Sequence, residues 1–137
     1  MRLLHIISSL EIGGAQRLLS DLLPIQKQQG LDVELLVNMV VENDFTAKIQ
    51  EAGIKIMSLE EPNLYRFSNI FRLRKIIKGY DVVHVHLFPS VYWVALASIG
   101  LKVKLVYTEH STSNRRREKS YFRPIEKFVY HQYDKII

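Results

Sequence analysis

Hydrophobic and polar positions along the chain repeat one pattern four times. Each time, an amphipathic helical segment is followed by a glycine and then by a short run rich in β-branched residues. The helical segments are residues 18–29, 45–52, 70–78 and 91–99, and the runs are residues 33–37, 54–57, 82–85 and 103–107. Each glycine stands where a helix end favours the left-handed conformation, which brings a Cβ penalty to other residues. The pattern therefore predicts four helices, each leading into a strand.

An apolar run at residues 3–7 and a final helical segment at residues 121–132 complete the alternation. Alternating β and α elements are typical of a parallel sheet with helices on both faces. Runs such as DVVHVH and KLVY are apolar enough for strands that are covered on both sides. We predict an α/β fold with an open Rossmann-like parallel sheet. The closing YDKII is typical of another buried strand, so we expect residues 1–137 to be one domain of a longer polypeptide.

The first predicted helix carries its apolar residues on one side. Leu18, Leu22 and Ile25 form a stripe at helical spacing, and Leu19 and Leu23 widen that stripe. Because such a stripe normally faces the core, we expect this side of the helix to pack on the sheet.

The composition is that of an ordinary folded protein, with 47% hydrophobic and 24% charged residues. The absence of cysteine excludes disulfides and thiolate metal sites, and it suits a reducing cytosol. The first seven residues make a poor signal peptide, and the most apolar stretch is shorter than the roughly 20 residues that span a bilayer. We expect a cytoplasmic protein.

The formal net charge of +5 favours anionic partners. We expect no nucleic acid among them, because the basic residues lack a reading helix, an RNA-binding motif or an aromatic platform. A basic group could instead draw the protein to the inner face of a membrane, with Phe71 and Ile76 dipping toward the acyl chains. The group comprises Arg72, Arg74, Lys75 and Lys78 together with the run at residues 115–117. An ordinary solvated face is the favoured interpretation, and membrane contact stays open.

Ligands of open α/β sheets bind beyond the carboxyl ends of the strands, so the loops leaving those ends are the candidate positions. These loops span residues 8–14, 38–44, 59–67, 86–90 and 110–117. In the first loop, Gly13 and Gly14 precede a helix whose free N–H groups and positive dipole suit a phosphate. Neither a dinucleotide-binding fingerprint nor a P-loop is present, so a simple tight turn stays open as the other interpretation.

Two histidines, His84 and His86, alternate with valines in one strand and therefore point to the same face. His86 is the nearer to the strand end and could face a cleft. A zinc site is conceivable, but no third ligand stands at motif spacing, and hydrogen-bonded imidazoles beside the sheet are the favoured interpretation. We predict no metal site.

The polar segment YTEHSTSNRRR follows the fifth predicted strand. His110 could exchange hydrogen bonds or a proton with a substrate at neutral pH, and Glu109 could orient its ring. Ser111 or Thr112 could equally cap a helix in a solvated loop. Functional use is favoured, because sheets of this type place their sites in such loops.

Three stretches together resemble the N-terminal domain of family 4 glycosyltransferases, which are retaining nucleotide-sugar enzymes of GT-B fold. They are GGAQRLLSDLLP, DVVHVHLFPSVYWVALAS, and LVYTEHSTSN followed by a helix and YDKII. The resemblance implies that residues 1–137 form the acceptor-side domain, truncated before a second domain that binds most of the donor. It implies a UDP- or GDP-sugar donor, a glycan or lipid-linked acceptor, no cofactor, and no activity for this half alone.

The resemblance also implies residue roles. Gly13 and Gly14 match the loop that approaches the donor pyrophosphate, and His110 matches a histidine near the transferred sugar. The acceptor side would include His86, Glu109, Ser111, Thr112 and Arg115. Catalysis would then rest on orientation and on stabilising the departing nucleotide diphosphate. Two other functions stay open: a noncatalytic subunit that docks a donor-binding chain at the membrane, and a stand-alone phosphate-binding module.

Overall fold

A parallel sheet of six strands forms the centre of the molecule. In this computed structural model, the described residues are 1–11, 13–63, 66–87, 90–108 and 123–137. The strands are β1 (Arg2–Ile6), β2 (Asp32–Val37), β3 (Ile56–Ser58), β4 (Val82–His86), β5 (Lys104–Thr108) and β6 (Lys135–Ile136). They lie in the order β3-β2-β1-β4-β5-β6, and every neighbouring pair is parallel. The predicted Rossmann-like α/β architecture is confirmed.

Helices connect the successive strands. They are α1 (Gly14–Gln28), α2 (Asp44–Glu51), α3 (Ser68–Ile77), α4 (Ser90–Ala97) and α5 (Arg123–His131). The strand order reverses direction after β3, because β4 pairs on the other side of β1. Since parallel crossovers are right-handed, this reversal moves α3 and the helices after it to the opposite face of the sheet. None of the described helices is long and apolar enough to cross a membrane.

Two separate hydrophobic clusters cover the two faces. On one face, Leu3 and Ile7 from the first strand region pack with Leu19 and Leu23 of α1. The other face buries Leu4, Ile6, Leu73, Ile77, Val91 and Val94, which come from β1, α3 and α4. Neighbouring residues of β1 thus face opposite layers, as the period of two in a strand requires. Helices cover both faces, as predicted.

The buried side of α1 differs from the predicted stripe. Leu18 and Ile25 are 47% and 51% exposed, whereas Leu19 and Leu23 are fully enclosed and Ala15 is buried. The side of α1 that faces the core therefore runs through positions 15, 19 and 23. The predicted stripe through positions 18, 22 and 25 lies beside it on the helix surface. The sequence has the right period but an ambiguous phase, because adjacent leucine pairs satisfy either side of the helix.

Candidate functional site

A pocket lies at the carboxyl ends of β1, β2 and β3, where the strand-order rule for open α/β sheets places ligands. It encloses about 280 Å³ and opens to solvent. Seven residues line this rim pocket, from the loops after the three strands: Ser8, Ser9, Glu11, Asn38, Met39, Glu61 and Pro62. Five of the seven residues bring a hydroxyl, amide or carboxylate group to a wall that is otherwise largely apolar, so the pocket can exchange several hydrogen bonds with a polar ligand.

A fixed carboxylate forms one side of the rim pocket. Glu61 is only 7% exposed, and its Oε1 accepts a hydrogen bond from the backbone N–H of Asn63 at 3.0 Å. Its Oε2 accepts one from the Arg66 guanidinium at 2.9 Å. These two donors hold the pKa of the Glu61 carboxyl below its ordinary value. The pocket therefore presents an ionised, immobilised acceptor at neutral pH.

The glycine pair stands at the start of α1, in the loop that supplies the first wall of the rim pocket. Gly13 is the N-cap in extended backbone, and no side chain caps the free N–H groups of the first turn. The Gln16 amide donates to the carbonyl of Ser9 at 3.3 Å, which ties the helix start to that wall. A Cβ added at Gly14 meets no atom within 4 Å. The backbone at Gly14 is therefore open to a ligand, as a phosphate site requires.

A cluster of three histidines lies on one face of the same sheet. His5 of β1 pairs in register with His84 of β4, and His86 is two residues further along β4. The three imidazoles therefore share one face, and we call them the histidine cluster. His5 and His86 are 0% and 1% exposed, and His84 is half-buried. The rings of His84 and His86 are stacked with their centroids 4.3 Å apart.

Hydrogen bonds fix the protonation of His5. Its Nε2 lies 2.9 Å from Oε1 of Gln26, which can only accept, so Nε2 carries the proton. Burial, and then the neighbouring His84, lower the pKa of His5 to about 3, so the ring is neutral. Its Nδ1 is then an acceptor, and Nε2 of His86 donates to it across 3.0 Å. The two hydrogen bonds thus run in one direction: His86 of β4 donates to His5, and His5 donates to Gln26 of α1.

The structure sorts the residues predicted for the site. Gly13 and Gly14 stand at the start of α1, where the sequence indicated them, and their contact with a donor phosphate stays a prediction. His86 stands at the end of β4 as predicted, but its ring is enclosed and bonded to His5, so its role as an acceptor ligand stays a prediction. Five further residues lie outside the described residues: Glu109, His110, Ser111, Thr112 and Arg115.

Sequence reasoning missed two features. The rim pocket is built from three of the five loops that the sequence marked, but its individual residues, Glu61 above all, were not singled out. His5 was missed as a neighbour of His86, because the two are 81 residues apart. The signal available was the shared β-strand alternation, in which His5, His84 and His86 all occupy positions of one face.

Comparison with solved structures places the fold among GT-B glycosyltransferases. HepE of Anabaena, in complex with UDP and glucose, matches with a TM-score of 0.74 and 14% identity over 99% of this chain and 37% of its own. A glycosyltransferase from Rickettsia africae matches with a TM-score of 0.68 and 15% identity, over 90% of this chain and 32% of its own. MurG of Acinetobacter baumannii matches with a TM-score of 0.67 and 12% identity, over 98% of this chain and 40% of its own. The chain thus spans between 32% and 40% of the length of these proteins.

The family follows from the sequence itself. The family model described as Glycosyltransferase Family 4 matches residues 12–137. The chain therefore belongs to glycosyltransferase family 4, and it fits the N-terminal domain of such an enzyme. A search of curated proteins finds no significant match.

Proposed function

We propose that this chain is the acceptor-binding half of a retaining glycosyltransferase that moves a sugar from a UDP- or GDP-sugar to a glycan or lipid-linked acceptor. Family membership supports the transfer of a sugar. The structure of HepE in complex with UDP-glucose supports a nucleotide-sugar donor. We expect the chain by itself to be inactive, because most donor contacts would belong to a second domain.

The rim pocket is the observation that carries this proposal. It is large enough for a monosaccharide unit, and its wall offers serine hydroxyls, an amide and carboxylates of the kind that bind sugar hydroxyls. Beside it, the uncapped start of α1 offers N–H groups to a diphosphate. An acceptor hydroxyl in the pocket and a donor diphosphate at the helix would thus approach each other at one edge of the sheet.

The substitution Gly14→Asp tests the diphosphate site on the intact enzyme. The first turn of α1 has no acidic residue, so a carboxylate there should stabilise the helix by about 0.3–1 kcal/mol. The same charge should repel a donor diphosphate and raise the donor KM at least tenfold. Stability and donor binding should therefore move in opposite directions, which steady-state kinetics and thermal melts can measure.

Gly14→Ser is the matched control, because it adds a side chain of similar size without charge to a position with open space. We expect a donor KM within about threefold of the parent enzyme. If Gly14→Asp leaves the donor KM unchanged, the start of α1 does not bind the diphosphate. If this chain alone binds UDP or GDP tightly, the stand-alone phosphate-binding module is the better interpretation.

His110 is assigned to the transferred sugar by the family resemblance. We propose that His110→Ala lowers turnover of the intact enzyme more than it disturbs folding. Unchanged turnover with a lowered melting temperature would contradict this assignment.

We further propose that α3 holds the protein at an anionic membrane surface. Phe67 and Phe71 are 72% and 70% exposed and stand one helical turn apart. The exposed residues Lys75 and Lys78 continue the same edge of the helix. Two aromatic side chains followed by two cations suit an interface of acyl chains and acidic headgroups.

The structure changes the set of residues expected at this surface. Ile76 packs against the core instead of pointing outward. Arg72 donates to the carbonyl of Leu59, and Arg74 donates to the carbonyls of Ala97 and Ile99, so both guanidiniums already bind the protein's own backbone. The membrane proposal therefore rests on the two phenylalanines and the two lysines.

Flotation with vesicles tests the membrane proposal. The intact protein should bind vesicles rich in phosphatidylglycerol and lose most of that binding in the double variant Phe67→Ser with Phe71→Ser. Ile25→Ser is the matched control, because Ile25 is 51% exposed on α1, on the opposite face of the sheet. Equal binding by the double variant and the control variant would exclude α3 as the docking surface.

A further inference from the structure

The histidine cluster has the composition of a metal site. One nitrogen from each of His5, His84 and His86 lies within 4.8 Å of the others. Three neutral imidazoles are a common donor set for zinc, which leaves a fourth position for water. We propose that the histidine cluster binds one Zn²⁺ ion. This site is separate from the rim pocket, and it does not depend on the proposed sugar transfer.

The spacing of one pair of nitrogens is close to what a zinc ion needs. With Zn–N bonds of about 2.0–2.1 Å and tetrahedral angles, neighbouring ligand nitrogens lie about 3.3 Å apart. His5 Nδ1 and His86 Nε2 are 3.0 Å apart and share one proton. Zinc would take the place of that proton, which would move to Nδ1 of His86 so that the imidazole stays neutral, and the two rings would separate by a few tenths of an ångström. The stacked ring of His84 would turn about its side-chain torsions to point its nitrogen at the ion.

Hydrogen bonds of the kind found around metal-binding histidines already occur on two of the three rings. Metal-binding histidines commonly donate their other N–H to an oxygen, which fixes the ring and its tautomer. Nε2 of His5 donates to Gln26, and Nε2 of His84 lies 2.6 Å from the hydroxyl of Thr108. The bond to Gln26 leaves Nδ1 of His5 as the nitrogen for a metal ion, and the Thr108 hydroxyl can accept from Nε2 of His84 in the same way.

Solvent can reach this cluster from one side. His84 is half-buried, and its neighbours on the same face of β5, Val106 and Thr108, are half-buried as well. A hydrated ion can therefore approach His84 first and exchange waters for imidazoles as it reaches the enclosed rings of His5 and His86. The fourth ligand, water, would remain on the solvent side.

Titration of the intact, chelator-treated protein with Zn²⁺ tests the proposal, with Co²⁺ as a spectroscopic probe. We expect one Zn²⁺ per chain by calorimetry and the strong visible absorption of four-coordinate Co²⁺. His84→Ala should weaken binding at least tenfold, and Thr108→Val should weaken it in the same direction by loosening the ring. His84 is chosen because it is the least buried of the three, and circular dichroism checks that both variants fold.

The matched control is His131→Ala, which removes an exposed histidine of α5. It should leave the affinity and the Co²⁺ spectrum unchanged. Failure of the parent protein to bind Zn²⁺ or Co²⁺ would overturn the proposal. So would binding that His84→Ala leaves intact, or binding that His131→Ala abolishes, because the ion would then be held elsewhere.

Discussion

Two side chains of the described residues stand on left-handed backbone although they are not glycine. Glu60 has a φ of 52° and Leu87 a φ of 69°. This conformation costs a residue with a Cβ about 1–2 kcal/mol. Glu60 directly precedes Glu61 of the rim pocket, and Leu87 directly follows His86. Leu87 packs against the core, which offsets its strain, whereas the exposed Glu60 has no such compensation. Strain of this kind is often found where a loop is held for function.

At the residue scale, we predict that Glu60→Gly stabilises the protein. Glycine removes the left-handed penalty of about 1–2 kcal/mol, but its greater freedom in the unfolded chain costs about 0.5–1 kcal/mol. We therefore expect the free energy of unfolding to rise by about 0.5–1 kcal/mol. Urea denaturation measures it. Glu42→Gly, in an exposed loop position with φ outside the left-handed region, should destabilise by several tenths of a kcal/mol. Shifts of the same sign in both variants would contradict the strain at Glu60.

At the element scale, α2 depends on one capping residue. The Asn43 side chain accepts a hydrogen bond from the backbone N–H of Thr46 at 3.0 Å. Its amide also donates to the carbonyl of Leu10 at 2.6 Å, which holds the loop after β1 against the start of α2. One side chain thus joins two of the loops that form the edge of the sheet where the rim pocket lies.

We predict that Asn43→Ala destabilises the protein by about 1–2 kcal/mol, because it removes both the cap and the donor to Leu10. Asn43→Ser keeps a capping oxygen and loses the donor to Leu10 without placing a second oxygen against that carbonyl, so it should cost less than Asn43→Ala. Chemical denaturation of both variants measures the difference. Equal losses would show that the cap contributes nothing and that the bond to Leu10 carries the whole effect.

The elements themselves could be predicted from the sequence because their signals are local. Helical spacing and the glycines after each helix give the element types, and Gly30, Gly53 and Gly100 have the expected positive φ. Gly79 does not, and there a Cβ would instead lie 3.3 Å from the Arg2 guanidinium. The phase of α1, the walls of the rim pocket and the place of His5 depend on contacts between distant segments, which no local spacing encodes.

At the scale of the whole molecule, His5 links the stability of the fold to pH. In the metal-free protein its ring stays neutral among Gln26, His84 and His86, with a pKa of about 3 against an ordinary value of 6.5. Between these two values, the unfolded chain binds a proton that the folded chain excludes. Stability is therefore lost progressively as the pH falls from 6.5 toward 3, and His5 contributes no slope above 6.5.

One such proton changes the free energy of unfolding by at most about 1.4 kcal/mol per pH unit. We predict that His5→Gln flattens the pH dependence between pH 6.5 and 4 by up to this amount, in urea denaturation with a chelator present. The comparison is of slopes, so a uniform loss of stability in the variant does not affect it. His131→Gln, on the exposed side of α5, should keep the parent slope. If His5→Gln keeps that slope too, the enclosed imidazole of β1 does not cause the acid sensitivity.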